Sequence, residues 1–126
     1  MRGVELVLLA VGALVGAFLR YRIVQSPLIL GTLPINILLV NIVGSLILGA
    51  FSSVSDSFNL DVKYTLLVAV GFCGSLTTMS SFALKTYNML DAGNLLKAAA
   101  NIVANTGLSL GAVIAGRLLV SIIIGA

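Results

Sequence analysis

A chain of 126 residues that is 60% hydrophobic and 9% charged, with a mean hydropathy of +1.19, cannot cover its own surface in water. The lipid bilayer is the solvent that fits, so soluble and disordered classes are excluded. The net charge of +3 and the pI near 9.4 come from seven cations scattered along the chain, which reads as membrane-end anchoring and not as a nucleic-acid surface.

The first span opens in the apolar run at Leu6 and closes at Arg20-Tyr21-Arg22. Those arginines stand where a cleavable signal would carry small residues, so the segment reads as a membrane helix. The second span lies in the uncharged interval 23–55, with its core at 35–51 and Pro27 and Pro34 at its entrance. The third is the uncharged run 64–84, bounded by Lys63 and Lys85. The fourth starts near Ala98 and passes Arg117. The fold class is therefore an all-α membrane protein: one domain over 1–126, with spans at about 4–22, 33–54, 64–86 and 98–120.

With four spans, Arg2, Lys63 and Arg117 share one side and Arg20, Arg22, Lys85 and Lys97 the other. Three against four gives no electrostatic preference for either orientation, which predicts dual topology. Two copies inserted in opposite senses would form an antiparallel dimer about an axis in the membrane plane.

Polar side chains at mid-depth are functional candidates, because lipid offers them no hydrogen bonds. Asn41, followed by Gly44 and Ser45, sits in the second span. In the fourth, Asn101, Asn105 and Ser109 recur at i, i+4 and i+8, a stripe of about 12 Å on one helical face. Any one of them could simply bond neighbouring helices together; three in register favour a lined path. In the third span, two glycines and five hydroxyl residues fall within Gly71–Phe82, and Gly74 is the midpoint of 64–84. That composition predicts a helix broken at the bilayer centre. A break frees carbonyls that suit a small cation, and N–H groups and hydroxyls that suit an anion. Gly12 and Gly16 form a G-x-x-x-G for close helix approach.

The run Gly71-Phe72-Cys73-Gly74-Ser75-Leu76-Thr77-Thr78-Met79-Ser80-Ser81-Phe82 resembles the G-F-C-G-G-L-T-T-F-S-T-F signature of the Fluc (CrcB) fluoride channels. Gly12-x-x-x-Gly16-Ala17-x-x-Arg20-Tyr21, Gly31-Thr32-Leu33 with Asn41-x-x-Gly44, and Asn101-x-x-x-Asn105 resemble the family's other motifs. The resemblance implies a dual-topology homodimer in the cell membrane, the inner membrane in a Gram-negative bacterium. It would let cytoplasmic fluoride leak out passively through two pores and so lower its toxicity. It also implies one structural sodium ion, not transported, held at the dimer centre by the backbone carbonyls of Gly74 and Thr77. The fluoride path would run past Asn41, Met79, Ser80, Ser81, Phe82, Asn101, Asn105 and Ser109, with Arg20 at a vestibule. Neutral donors suit fluoride because bulk positive charge would serve chloride as well, and the edge of the Phe82 ring presents positive quadrupole to an anion.

Several positions depart from the signature. Met79 stands where the first phenylalanine is expected, Ser75 where the second glycine is, and Lys85 where an acid is usual. Thr32 with Asn36 has the family spacing, but only Asn41 is followed by glycine at +3, so Asn41 is taken as the pore asparagine, which puts Ile37 where a threonine is usual. Such gaps also fit one half of a heterodimer. The competing reading is a small multidrug-resistance-like, proton-coupled exporter, which needs an embedded carboxylate; the first span offers only Glu5, at its very end. A purely structural subunit would not need the hydroxyl-rich break. An enzyme is not expected, because the chain has no His and Cys73 is its one cysteine, leaving neither a nucleophile–base pair nor a metal-ligand cluster.

Overall fold

A computed structural model of the chain describes residues 2–26, 29–30 and 33–125; Pro27 and the Gly31-Thr32 pair lie outside them. Among the described residues, four helical spans are long and apolar enough to cross a membrane: Gly3–Gln25, Asn36–Phe58, Val62–Asp91 and Leu95–Ile124. The first is α1, the second α2 and the fourth α6. The third is composite, running through α3 (Val62–Thr65), a π-helical segment (Leu66–Cys73), α4 (Gly74–Leu76) and α5 (Met79–Asp91). Between α1 and α2 the chain makes a two-residue antiparallel pairing of β1 (Ile29–Leu30) with β2 (Leu33–Pro34). Pro34 thus belongs to β2 and α2 begins at Asn36, which fits the bias of residues near proline away from helix.

Little side-chain surface is buried within the chain. Val40, Leu76, Cys73 and Ile37 form the centre, whereas Leu14 is 72% and Ile122 78% exposed. An apolar exterior of this kind is stable only where the surroundings are apolar too. The two most extensive packings pair α2 with α6 and α1 with the π-helical segment.

Both pairings depend on glycine, for steric reasons. A Cβ on Gly12 would strike the Leu67 carbonyl oxygen and one on Gly16 that of Phe72. Gly12 and Gly16 lie one α-turn apart, and Leu67 and Phe72 one π-turn apart, so the wider turns repeat in step with the glycine face. On the other side, a Cβ on Gly49 would strike the Val113 backbone and one on Gly116 the Leu46 carbonyl. These contacts run α2 parallel to α6 and α1 parallel to the third span. Gly49→Ala is expected to cost about 1–3 kcal/mol through overpacking. Gly107→Ala, where a Cβ meets nothing within 4 Å, is expected to be close to neutral. Thermal unfolding of the two variants in detergent checks the contrast.

The helical path of the third span is left at two residues. Leu76 ends α4, Thr77 (φ −82°, ψ 157°) and Thr78 (φ −150°, ψ 118°) are extended, and α5 starts at Met79. The departure lies three residues beyond Gly74, where the composition had pointed. Gly74 stays helical, its N–H donating to the Ala69 and Gly71 carbonyls. The threonines leave the helix because side chains compete for their backbone. The Thr78 hydroxyl caps α5 by accepting from the Ser81 N–H at 3.2 Å, and Asn41 takes the Thr78 N–H.

A polar cavity beside Thr77 and Thr78

Asn41 faces the extended pair from the middle of α2. Its Oδ1 accepts from the Thr78 N–H at 2.8 Å, while its Nδ2 donates to the Thr78 carbonyl at 3.3 Å and to Asn105 Oδ1 at 3.0 Å. One amide therefore satisfies both backbone groups of Thr78, as a neighbouring strand would. Asn36, the other candidate, is buried at the start of α2 and ties down the end of α1. Its Nδ2 donates to the Val24 carbonyl at 2.7 Å, and its Oδ1 accepts from Lys85 Nζ at 3.2 Å.

The extended pair also redirects two donors. In a continuous helix the Thr78 N–H would donate to the Gly74 carbonyl and the Ser81 N–H to that of Thr77. The first donates instead to Asn41 and the second to the Thr78 hydroxyl. The two carbonyls deprived of these partners belong to Gly74 and Thr77, the residues for which the family resemblance implies a cation.

A cavity of about 360 Å³ opens here between α2, the third span and α6. It gathers Asn41, Gly74, Thr77, Met79, Phe82, Asn105 and Ser109 from the sequence-based candidates. Ser80, Ser81, Asn101 and Arg20 are not in its wall. The side chains of Ser45 and Thr106 are in the wall although the reading of the sequence gave them no role. For Ser45 a signal existed, since it lies one helical turn after Asn41. Thr106 sits beside the stripe of Asn101, Asn105 and Ser109, and only the breadth of the cavity brings it in.

Among the described residues, no charged side chain lines this space. Its polar character comes from amides and hydroxyls, and the amides are engaged. Asn105 Nδ2 donates to the Asn101 carbonyl at 3.0 Å and to Asn101 Oδ1 at 3.1 Å, and Asn101 Nδ2 donates to Thr86 Oγ1 at 3.0 Å. Thr77 Oγ1 donates to the Cys73 carbonyl at 2.9 Å. Ser109 Oγ differs, being buried with no hydrogen-bond partner among the described residues. Phe82 is half-buried at the wall, and Met79 is 73% exposed. Glu5 is remote, in the first turn of α1, and Arg117 at the far end of α6 pairs with Asp56 at 3.3 Å and with the Ser52 hydroxyl. That exposed pair contributes little to stability.

Comparison with known proteins identifies the family. The family model described as CrcB-like protein, Camphor Resistance (CrcB), matches residues 7–117. A fluoride-specific ion channel FluC of Nitrosopumilus maritimus is 56% identical over 124 residues, 98% of each chain. Proteins of the same name from a Sulfurihydrogenibium species and from Methanocaldococcus jannaschii are 44% and 41% identical, covering 88% and 80% of this chain and 92% and 82% of their own. With four membrane-length helices and a match over nearly its whole length, the chain is a multi-pass membrane protein and belongs to the CrcB family.

Proposed function

We propose that this chain forms a fluoride-selective channel through which cytoplasmic fluoride leaks out passively, as a dual-topology antiparallel homodimer with two pores and a central sodium ion. The observation that carries the reading is the mid-span cavity, which holds neutral hydroxyls and no ionised side chain. A proton-coupled exporter would need a carboxylate there, and none lines the space. A bare fluoride ion demands dense hydrogen bonding to replace its water, and the unpartnered Ser109 hydroxyl is a donor left free for it. Ser45 and Thr106 add two more hydroxyls along the same wall. The relatives' name, fluoride-specific ion channel FluC, supports the same ion.

A cavity of about 360 Å³ is far wider than a desolvated monatomic anion, so a selective path needs further walls. A second copy against the exposed Gly74 and Met79 face would supply them. The same apposition would bring two sets of Gly74 and Thr77 carbonyls together, and those residues suit sodium because their usual helical donors are turned elsewhere. When bound, the ion supplies positive charge at the membrane centre, lowering the cost of a nearby anion without placing a cation in its path. The residues of the chain do the rest: hydroxyls replace water, and the Phe82 ring offers its edge to the anion.

Reconstituted liposomes loaded with fluoride or with chloride test the reading. Fluoride efflux well above protein-free vesicles is expected, with chloride retained. Equal passage of both ions, or of neither, would sink selective fluoride conduction.

A further inference from the structure

We infer that Thr86, Asn101 and Asn105 are positioning residues, which with Asn41 form a one-way hydrogen-bond relay that clamps the first turn of α5 and thereby sets the Phe82 ring. The inference rests on the channel reading only for its flux readout.

The relay begins at the Thr78 N–H, which can only donate, and ends at the Phe82 carbonyl, which can only accept. Between them the order is fixed. Thr78 N–H donates to Asn41 Oδ1 at 2.8 Å and Asn41 Nδ2 to Asn105 Oδ1 at 3.0 Å. Asn105 Nδ2 donates to Asn101 Oδ1 at 3.1 Å, Asn101 Nδ2 to Thr86 Oγ1 at 3.0 Å, and Thr86 Oγ1 to the Phe82 carbonyl at 2.8 Å. Turning any one amide over would set donor against donor or acceptor against acceptor, so a single arrangement satisfies the chain. Thr78, Thr86, Asn101 and Asn105 are 4–8% exposed, so a mismatched donor or acceptor in the relay is costly.

Simple bonding between helices would join one partner to another and stop. This relay leaves the third span at Thr78, crosses α2 and α6, and returns to the same span at Phe82. Its two anchors are four residues apart and enclose Met79, Ser80 and Ser81. The first turn of α5, which carries Met79 and Phe82 at the cavity wall, is thus held from both ends. Thr86 and Asn101 lie outside that wall, so any effect they have on the ion must pass through the relay.

The test uses Thr86→Val, which keeps the shape and removes the hydroxyl, and Thr86→Ser, which restores it. Thr86→Val is expected to lower fluoride efflux about tenfold, with Thr86→Ser close to wild type. The double variant Thr86→Val with Asn101→Ala is expected to be no worse than the poorer single one, since both break one chain. Independently of flux, hydrogen–deuterium exchange in the 78–82 segment is expected to speed up in Thr86→Val while α1 is unchanged. If Thr86→Val does not fold, Asn101→Ala alone is read by the same two assays. Unchanged exchange and flux, failure of Thr86→Ser to rescue, or multiplying effects in the double variant would overturn the relay. A wild-type protein that passes no fluoride would end the channel reading instead, with the exchange measurement still deciding the relay.

Discussion

Asn41→Leu is expected to abolish fluoride efflux while leaving the four spans inserted. The substitution removes three hydrogen bonds at once, two to the Thr78 backbone and one to Asn105. Interhelical hydrogen bonds in membranes are worth about 0.6 kcal/mol on average and up to about 1.7, so the loss amounts to about 2–5 kcal/mol. That is too little to expel a helix from lipid, because each span still carries its apolar length. It is enough to depopulate the extended pair at Thr77 and Thr78, since about 3 kcal/mol shifts a two-state balance by roughly two orders of magnitude. The Thr78 N–H freed by the substitution would then find a partner by donating to the Gly74 carbonyl in a continuous helix. That change would close the proposed cation site and rotate Met79 and Phe82 away from the cavity together. Efflux is expected to fall on the order of a hundredfold, with helical circular dichroism preserved or slightly increased. Asn41→Asp tells donor loss from acceptor loss, since it keeps the acceptor for the Thr78 N–H and loses the donor to the Thr78 carbonyl and to Asn105; intermediate flux is expected. Wild-type flux in Asn41→Leu would leave Asn41 as an ordinary packing residue.

The legible and illegible parts of this molecule divide by range. Lys63 and Lys85 mark off the third span because charge is costly in hydrocarbon, and that penalty acts residue by residue along the chain. The spacing of Gly12 and Gly16 is likewise local, and the helix that they admit lies where a close approach was expected. The position of the extended pair was not legible from composition. Gly74 is the weakest helix former nearby, yet it stays helical because two carbonyls take its N–H. Thr78 yields because an amide 37 residues earlier reaches its backbone, and no window of sequence contains both. The π-helical turns of Leu66–Cys73 are similarly tertiary, matched to the glycine face of α1. The stripe of Asn101, Asn105 and Ser109 was visible as a stripe. Its division of labour was not, because which amide hydrogens are spoken for depends on Thr86 and Asn41 from other spans. Ser109 Oγ is the buried side-chain polar atom left unpartnered at the wall among the described residues.

Gly74→Leu is the substitution expected to separate the fold of one copy from assembly of two. Gly74 has ordinary helical dihedrals of φ −64° and ψ −29°, which any L residue adopts, so no backbone strain demands glycine there. A Cβ at Gly74 would meet nothing nearer than the Ala69 carbonyl at 3.7 Å, an ordinary contact, and the position is exposed. Within one copy the change is therefore tolerated, unlike Gly49→Ala, where the Cβ runs into the Val113 backbone. If two copies meet about an axis beside Gly74 and Thr77, a leucine in each would hold the carbonyls apart and fill the space proposed for sodium. Gly74→Leu is then expected to insert, to unfold thermally close to wild type, to migrate as a monomer in detergent, and to lose fluoride efflux on the order of a hundredfold. Gly74→Ala, smaller by three carbons, is expected to keep part of both dimer and flux. Exchange of sodium for a bulky organic cation should reproduce the same loss of dimer in the wild type and have no further effect on Gly74→Leu. Retention of dimer and flux by Gly74→Leu would move the twofold contact elsewhere on the molecule, because two leucines add eight side-chain carbons, which a close axis beside Gly74 would not accommodate.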